Sequence, residues 1–456
     1  MTPLTRAEHG RPPAPVRMVH LGVGNFFRAH QAWFTEHAPD AADWGYAAFT
    51  GRSATIAEEL GGQDNLYTLL VREVDGDRPE VISSLTAVHP GGDLGALRGY
   101  FASPDLALVT STVTEAGYRR DSSGGLDLSD PDVQADIAAL REDPAADAVR
   151  TTPGRLVAGL LARRAAGAGA LALVPCDNVP DNGAMVGRVV RELAAEVDDT
   201  LVPWIEQHVG VVTTMVDRIT PRATDEDRAA VAEATGVDDP QAVVTEPFAE
   251  WVLAGEFPAG RPAWDRAGAT FVDDVRLHEE RKLWFLNGAH SLMAYTAPLR
   301  GHETVAEAIA DPTVRGWVED WWDLAAGHLK VDEAAVAAYR EALLDRFANH
   351  RIRHLLAQIA ADGSQKVPIR FGPVLAAEAA AGNRPEAVTR PVAAWLAHLH
   401  GHGVPVQDAQ EAVVGDLAAA EPADAVRTLL GWMGVDPDPA LVEQVLAQAA
   451  GFEEAV

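Results

Sequence analysis

The sequence predicts an α/β Rossmann-like N-terminal domain followed by an all-α C-terminal domain. Short apolar runs alternate with alanine-rich helical patterns in the first part of the chain, and a glycine turn directly follows the first run. Strand-like runs largely disappear after about residue 275. A chain of 456 residues also exceeds the size at which a single core usually divides. We therefore expect a dinucleotide-binding domain over residues 1–274 and a helical substrate and catalytic domain over residues 275–456.

The first predicted strand is the apolar run 16–21, which leads through Gly22-Val-Gly24 into a helical pattern. A buried strand, a glycine turn and a helix are typical of the start of a dinucleotide-binding βαβ unit. The further predicted strands are residues 46–50, 81–84, 106–110, 171–174 and 209–213. Their alternation with helical patterns favours a mostly parallel sheet that is covered on both faces. Segment 117–143, rich in Asp, Ser and Gly, is predicted to be a loop.

The C-terminal domain is predicted from its alanine- and leucine-rich segments, which have helical spacing. The clearest are residues 305–310, 331–347 and 391–400. We place the domain boundary between residues 271 and 277, where the character of the sequence changes.

The composition restricts the class of partner and the compartment. The net charge is −30, with 67 acidic and 37 basic residues, so nucleic acid and anionic membranes are poor partners. No run of 18 apolar residues occurs, and the N-terminus lacks the apolar core of a signal peptide. The single cysteine, Cys176, excludes an internal disulfide and a cysteine-rich zinc site, and no HExxH-type pair is present. We expect a cytoplasmic protein without a metal site.

The glycine turn carries part of a dinucleotide fingerprint. Gly22 and Gly24 stand at its first two glycine positions, followed by Asn25 and Phe26, whereas Phe27 replaces the third glycine. The first glycine permits the tight turn, and the second permits close approach of a pyrophosphate. Two glycines alone are equally consistent with an ordinary strand–helix turn.

The end of the second predicted strand bears on the choice between NAD and NADP. NAD-binding folds usually carry an acidic residue there for the ribose hydroxyls, but this chain reads Gly51-Arg52-Ser53. The Arg52 guanidinium could pair with a 2′-phosphate, stack on an adenine or pair with a neighbouring acid. The choice stays open from the residues alone.

Lysine is scarce, since Lys282, Lys330 and Lys366 are the only lysines among the 37 basic residues. Arginine keeps its proton in proteins, whereas a buried lysine can act as a base. A retained lysine is therefore a candidate for chemistry that arginine cannot perform. Lys330 lies in a polar stretch and is expected to be an ordinary surface residue.

Lys282 and three polar residues near it share one side of a predicted α-helix. At about 100° per residue, Glu279 lies about 60°, His290 about 80° and Asn287 about 140° from Lys282. A lysine that can lose a proton, beside an amide and a histidine that donate hydrogen bonds, is suited to the oxidation of an alcohol without zinc. The base takes the hydroxyl proton, the donors stabilise the developing alkoxide, and the hydride leaves to the nicotinamide. The alternative from spacing alone is a partly solvated amphipathic helix with a buried, hydrogen-bonded histidine.

The K-x4-N-x2-H spacing of Lys282, Asn287 and His290 resembles the signature of the polyol-specific long-chain dehydrogenases. This family includes mannitol 2-dehydrogenases, fructuronate (mannonate) and tagaturonate reductases, and arabinitol dehydrogenases. The resemblance covers nearly the whole chain through segments 20–32 (HLGVGNFFRAHQA), 112–118 (TVTEAGY), 176–183 (CDNVPDNG), 215–221 (MVDRITP), 246–252 (EPFAEWV), 260–268 (GRPAWDRAG) and 362–368 (DGSQKVP). Mannitol dehydrogenases of this family tend to carry an acidic residue shortly after the position of residues 51–53, which this chain lacks.

The resemblance implies a catalytic group. Lys282 matches the family's general base, and Asn287 and Asn178 match the pair that stabilises the oxyanion. His290 matches a residue that orients the substrate. Glu279 matches a carboxylate that gates proton release to water.

The resemblance also implies binding residues. Asp217 matches a position near the nicotinamide and the substrate. Glu115 lies near the family's substrate pocket, with a structural role as the alternative, and Lys366 matches a position that contacts substrate oxygens. Arg370 is a candidate cation for a substrate carboxylate.

Together, these observations predict a zinc-independent, NAD(P)-dependent dehydrogenase that acts on a polyol and the matching 2-ketose, of the D-mannitol/D-fructose type. The alternative within the family is a D-mannonate/D-fructuronate or tagaturonate reductase. The alternative from another class is a non-catalytic nicotinamide-binding sensor, which the retained lysine, asparagines and histidine disfavour. NAD is the expected cofactor and NADP its alternative, and the protein is expected to be a monomer or a small homo-oligomer.

Overall fold

The computed structural model describes residues 2–51 and 53–454, and the chain divides into two compact units, Met1–Arg276 and Leu277–Val456. The N-terminal unit contains every strand, and helices make up the ordered elements of the C-terminal unit among the described residues. The predicted fold class, a Rossmann-like domain followed by an all-α domain, is therefore confirmed.

The strands are β1 (Thr2–Pro3), β2 (Val16–Leu21), β3 (Gly45–Phe49), β4 (Tyr67–Glu73), β5 (Gly76–Ile82), β6 (Leu85–His89), β7 (Leu108–Ser111), β8 (Leu171–Pro175), β9 (Val209–Val211), β10 (Thr213–Asp217), β11 (Val237–Asp238), β12 (Val243–Thr245), β13 (Glu250–Ala254) and β14 (Thr270–Phe271). The helices of the N-terminal unit are α1 (Asn25–Ala29), α2 (Gln31–His37), α3 (Thr55–Gly61), α4 (Leu94–Phe101), α5 (Pro131–Glu142), α6 (Thr152–Ala166), α7 (Asn182–Val197), α8 (Leu201–His208) and α9 (Asp225–Thr235).

The second series of helices starts with α10 (Arg276–Arg281). It continues with α11 (Ala289–Thr296), α12 (Val305–Ala310), α13 (Pro312–Ala326), α14 (Glu333–Ala348), α15 (Leu356–Ala360), α16 (Gly363–Ala380), α17 (Glu386–Leu399), α18 (Glu411–Ala419), α19 (Pro422–Trp432) and α20 (Pro439–Glu454). A π-helical segment, Lys282–Gly288, joins α10 to α11. Among the described residues, no helix combines the length and the apolar character that a membrane span requires.

The main sheet is parallel throughout, with strand order β6-β3-β2-β7-β8-β9. This is the order of a doubly wound dinucleotide-binding sheet, in which the chain changes direction on either side of the first strand, here β2. Ligands of such sheets bind beyond the carboxyl ends of the strands at this point. The loops that follow β2, β7 and β8 are therefore the expected binding edge.

The sheet is buried on both faces, and successive residues of each strand enter different cores. On one face, Val19 and Leu173 pack in the core that includes α4, α6 and α7. On the other face, Met18 and Ala172 pack in the core that includes α1, α2 and β13. This packing accounts for the continuous apolar runs from which the strands were predicted.

Three local predictions are wrong. The apolar run 81–84 spans the end of β5 and the gap before β6, and β5 pairs in an antiparallel manner with β4 outside the main sheet. Residues 209–213 belong to β9 in the main sheet and to β10, which pairs antiparallel with β13. Segment 117–143 contains the amphipathic helix α5, which is capped by Asp130 at its N-terminus.

Candidate active site

The glycine turn lies at the carboxyl end of β2 and needs each glycine for a different reason. Gly22 has a φ of +105°, and a Cβ there would lie 2.2 Å from the backbone oxygen of Thr112. A Cβ at Gly24 would meet only the Gly22 oxygen at 3.9 Å, so the space above this backbone is open. The turn therefore fits a phosphate group that approaches the main chain closely.

His20, on β2, stabilises this turn through hydrogen bonds of its ring. Its Nε2 donates to the Gly22 carbonyl at 3.0 Å, and its Nδ1 accepts from the Thr110 hydroxyl at 2.7 Å. The ring stacks on Phe27 with centroids 3.5 Å apart. Complete burial lowers the pKa of His20 to about 3, so the ring is neutral. Sequence reasoning missed this residue, whose only signal is a polar ring within a buried strand.

Asn25 and Phe26 are held by neighbouring side chains. The Arg28 guanidinium donates to Asn25 Oδ1 at 2.8 Å and to the Gln241 carbonyl at 2.6 Å. Phe26 stacks on His30 with centroids 4.9 Å apart. Because Arg28 is buried, it fixes the first turn of α1 against a distant loop.

Asp177 braces the loop after β7 to the loop after β8. Its Oδ1 accepts from the amides of Val113 at 2.7 Å and Thr114 at 2.9 Å, and its Oδ2 accepts from the Tyr118 hydroxyl. Thr114 has a φ of +70°, a strained conformation for a β-branched residue. Burial raises the pKa of Asp177. The brace thus fixes the backbone directly before Asn178.

Asn182 connects the Asn178 segment with the strand that ends at Asp217. Its Nδ2 donates to the Asp177 carbonyl at 3.0 Å and to the Thr214 carbonyl at 2.9 Å. Asn178 itself is exposed, whereas Asp217 is buried at the end of β10. Within the N-terminal unit, the glycine turn, the 112–118 loop, Asn178 and Asp217 therefore belong to one connected framework.

In the C-terminal unit, Lys282 is the first residue of the π-helical segment. The regular α-helix expected over residues 279–291 is wrong in this stretch, and so are the angles derived from it. The i→i+5 pairing of a π-helix places Lys282 and Asn287 one turn apart, closer to one face than α-helical geometry allows. Lys282 is buried and Asn287 half-buried, and Glu279 lies one turn earlier on α10. Single π-turns inside α-helices are frequent at functional sites.

His290, on α11, is buried beside two aromatic rings. Its Nε2 has no hydrogen-bond partner among the described residues. The ring lies 4.9 Å from that of His354 and 5.0 Å from that of Phe347, between centroids. Burial, then the neighbouring His354 ring and the positive charges of Arg346 and Arg370, hold the pKa of His290 well below its usual range. His354, whose pKa burial lowers to about 4, has no signal in the sequence.

Arg370 and Lys366 project from α16 and both engage backbone carbonyls. Arg370 Nη1 donates to the Asn287 carbonyl at 3.1 Å and to Ser291 Oγ at 2.6 Å, and burial lowers its pKa to about 10. Lys366 Nζ donates to the Ala361 carbonyl at 2.6 Å. The structure therefore brings Arg370 to the lysine-bearing segment and attaches Lys366 to the loop after α15.

The two remaining predicted site residues are Glu115 and Arg52. Glu115 is exposed and forms an ion pair with Arg120 at a cavity of about 520 Å³ that is lined by residues of the 115–130 loop. Arg52 lies outside the described residues. Within residues 2–51 and 53–454, no group of three or more His, Cys, Asp or Glu side chains is placed to hold a metal ion.

Two family models match the chain. The mannitol dehydrogenase Rossmann domain matches residues 16–266, and the mannitol dehydrogenase C-terminal domain matches residues 274–450. The D-mannonate oxidoreductase of Escherichia coli (strain K12) is 36% identical over 465 residues, which cover 96% of this chain and 93% of that protein. The D-arabinitol 4-dehydrogenase of Ralstonia nicotianae is 36% identical over 470 residues, which cover 99% of this chain and 98% of that protein.

A solved structure is also similar to this chain. The ternary complex of Pseudomonas fluorescens mannitol 2-dehydrogenase with NAD and D-mannitol is similar with a TM-score of 0.79 and 32% sequence identity. The match covers 97% of this chain and 91% of that chain.

Proposed function

The chain belongs to the mannitol dehydrogenase family, and we propose that it transfers a hydride between NAD(H) and a polyol/2-ketose pair of the D-mannitol/D-fructose type. The observation that carries the proposal is the π-helical segment, which sets the buried Lys282 one turn from Asn287. His290 lies on the following helix, α11, and its unpartnered Nε2 would supply a polar contact for a substrate hydroxyl.

The residues of the glycine turn fit the proposed cofactor. Gly22 and the open backbone at Gly24 would hold the pyrophosphate, and Asp217 is the proposed contact near the nicotinamide. Bound NAD would supply the acceptor for the hydride that leaves the alcohol carbon. Asn25 and Phe26 would border the same site.

Lys282 is the proposed general base. In its neutral form it takes the proton of the substrate hydroxyl, while Asn287 and Asn178 donate hydrogen bonds to the developing alkoxide. His290 is neutral, because burial and neighbouring cations depress its pKa. It therefore orients a hydroxyl without adding charge. Glu279, on the preceding turn, is the proposed carrier of the proton from Lys282 to water.

We propose further that this reaction proceeds without zinc. A catalytic zinc ion needs about three protein ligands, usually His, Cys or carboxylate. The lack of such a cluster among the described residues supports a mechanism in which Lys282 alone activates the hydroxyl.

The second candidate function is reduction of fructuronate to mannonate. It is favoured by the similarity to the Escherichia coli D-mannonate oxidoreductase and by the cations Arg346 and Arg370, whose positive field reaches His290. A substrate carboxylate would be attracted to this field. Arg370, already bonded to Asn287 and Ser291, would face it with its remaining N–H groups.

A substrate panel separates these functions. Purified protein is incubated with NADH or NADPH and with fructose, fructuronate, tagaturonate or xylulose, and nicotinamide absorbance is followed. The main proposal expects the highest kcat/KM with fructose and NADH. Highest activity with fructuronate establishes the second candidate, and cofactor binding without turnover of any sugar establishes the sensor. Activity that prefers NADPH and loses this preference in Arg52→Ala overturns the choice of NAD.

A further inference from the structure

Three side chains from other helices donate hydrogen bonds to carbonyls of the π-helical segment Lys282–Gly288. Trp321 Nε1 donates to the Trp284 carbonyl at 2.7 Å, and Trp322 Nε1 donates to the Phe285 carbonyl at 2.9 Å. Arg370 Nη1 donates to the Asn287 carbonyl at 3.1 Å. Both tryptophans are fully buried on α13, so these bonds are shielded from water.

The two indoles reach successive carbonyls near the end of the π-helical segment, those of Trp284 and Phe285. Where a helix returns from i→i+5 to i→i+4 pairing, the backbone has one carbonyl more than it has N–H groups to serve. The Ala289 amide, which directly follows the segment, is directed to the Leu286 carbonyl. The indole N–H groups therefore supply donors from outside the helix where its own backbone supplies too few.

Gly288 makes the approach of Trp321 feasible. A Cβ at this position would lie 2.6 Å from Trp321 Nε1. The segment therefore carries a glycine where the indole crosses it, although glycine inside a helix is unfavourable by roughly 0.5–1 kcal/mol relative to alanine. The glycine and the indole thus form one matched contact.

We propose that Trp321 and Trp322 are positioning residues, which keep the segment π-helical and thereby set Lys282 in line with Asn287. The inference rests on the proposed function for the role of Lys282. With regular α-helical pairing, the two side chains would point about 140° apart. Each indole N–H is already used on a carbonyl, so the tryptophans act through the backbone of the segment.

Trp321→Phe and Trp322→Phe remove the N–H groups and keep an aromatic ring in place. Trp395→Phe is the matched control, because Trp395 is equally buried in the same unit and has no hydrogen bond to the segment in the part of the chain described. We expect kcat to fall about 10–100-fold in the first two variants, as for an ångström-scale misplacement of a catalytic group. KM for NADH should stay within about twofold of the wild-type value, and the pH profile of kcat should shift. The control should keep the wild-type profile.

A variant without loss of volume guards against a folding defect. Replacement of Trp322 by benzothienylalanine keeps the shape of the ring and removes only the N–H, and it should reproduce the kinetics of Trp322→Phe. Gly288→Ala should resemble Trp321→Phe, whereas Gly316→Ala on α13, where a Cβ meets nothing within 4 Å, should behave as wild type.

Hydrogen exchange of the amides in residues 282–292 is the readout that does not depend on activity. We expect faster exchange there in the two tryptophan variants and in the benzothienylalanine protein, and unchanged exchange in Trp395→Phe. The proposal would be overturned if Trp321→Phe, Trp322→Phe and the benzothienylalanine protein all kept the wild-type kcat, pH profile and exchange rates. If the wild-type protein turns over none of the panel substrates, the proposed function fails, and the exchange data still decide whether the indoles hold the segment.

Discussion

The glycine turn after β2 and the π-helical segment that carries Lys282 are both irregular stretches of backbone, but they are built by different means. The turn depends on Gly22, on His20 two residues earlier and on the neighbouring strand β7. The π segment depends on indoles 37 residues away in sequence and on Arg370, 83 residues from its carbonyl partner. The conformation of the glycine turn therefore depends mainly on residues in or next to the turn. The conformation of the π-helical segment can also be changed by a substitution on another helix.

The largest effect on activity is expected from substitution of Lys282, the proposed general base at the start of the π-helical segment. Lys282→Ala should lower kcat/KM by roughly 10²–10⁴-fold, because a general base contributes that much. Lys282→Arg should be equally inactive, because arginine keeps its proton. Cofactor binding, measured by titration of NADH fluorescence, should be nearly unchanged in both variants. A loss below about tenfold would refute the role of Lys282.

The two glycines of the turn should respond differently to the same substitution. Gly22→Ala forces a φ of +105° and a contact of 2.2 Å with the Thr112 oxygen, so we expect a loss of about 1–3 kcal/mol in stability and weaker NADH binding. Gly24→Ala meets open space, so the Tm should be retained while KM for NADH rises about tenfold. Thermal unfolding and KM measurements check both. Equal stability of the two variants would contradict the assignment of separate roles.

A smaller effect should appear as a pH dependence of stability. The pKa of His354 is about 4 in the folded protein and about 6.5 when unfolded, so its contribution is intact above about pH 6.5 and is lost as the pH falls toward 4. The free energy of unfolding in urea falls between pH 7.5 and pH 4.5. We expect this fall to be smaller in His354→Asn than in the wild type, by up to about 2 kcal/mol. The exposed His350 offers the control His350→Asn, which should lose as much as the wild type.

No effect is expected from removal of metal. Dialysis against EDTA and a zinc chelator should leave kcat and KM unchanged, because Lys282 is the proposed base and donors from Asn287 and Asn178 replace a Lewis acid. Loss of activity that zinc restores and magnesium does not would overturn the zinc-free mechanism.

The fold was predictable where a single residue type, such as glycine, determines the local backbone conformation. It was also predictable where a strand is buried on both faces of the sheet. The first strand, its glycine turn and the alternation of strands and helices all have such signals. β5 (GDRPEVI) is mostly half-buried and has no continuous apolar run, so only its last two residues fell within a predicted strand. Its partner β4 was missed, although residues 67–71 are buried and include the apolar run Leu69–Val71. The run 81–84 was misleading because it combines the last two residues of β5 with the two residues that precede β6.

The candidate site was predictable as a set of residue types and only partly as a geometry. The scarcity of lysine and the spacing of Lys282, Asn287 and His290 indicate the chemistry. The π-helical pairing between Lys282 and Asn287 has no local signal, because the indoles that complete it lie on α13. Likewise, the contact of His354 with His290 arises from tertiary packing.

Chemical rescue of Lys282→Ala by small primary amines tests the central claim most directly. Polyol oxidation by this variant is measured with NAD after chelation, over a series of alkylamines and at several pH values. A general base at position 282 predicts that added amine restores turnover, with rates that rise with the pKa of the amine, and that the same amines leave Lys282→Arg inactive. Turnover by Lys282→Ala or Lys282→Arg within tenfold of the wild-type rate without any amine would contradict it.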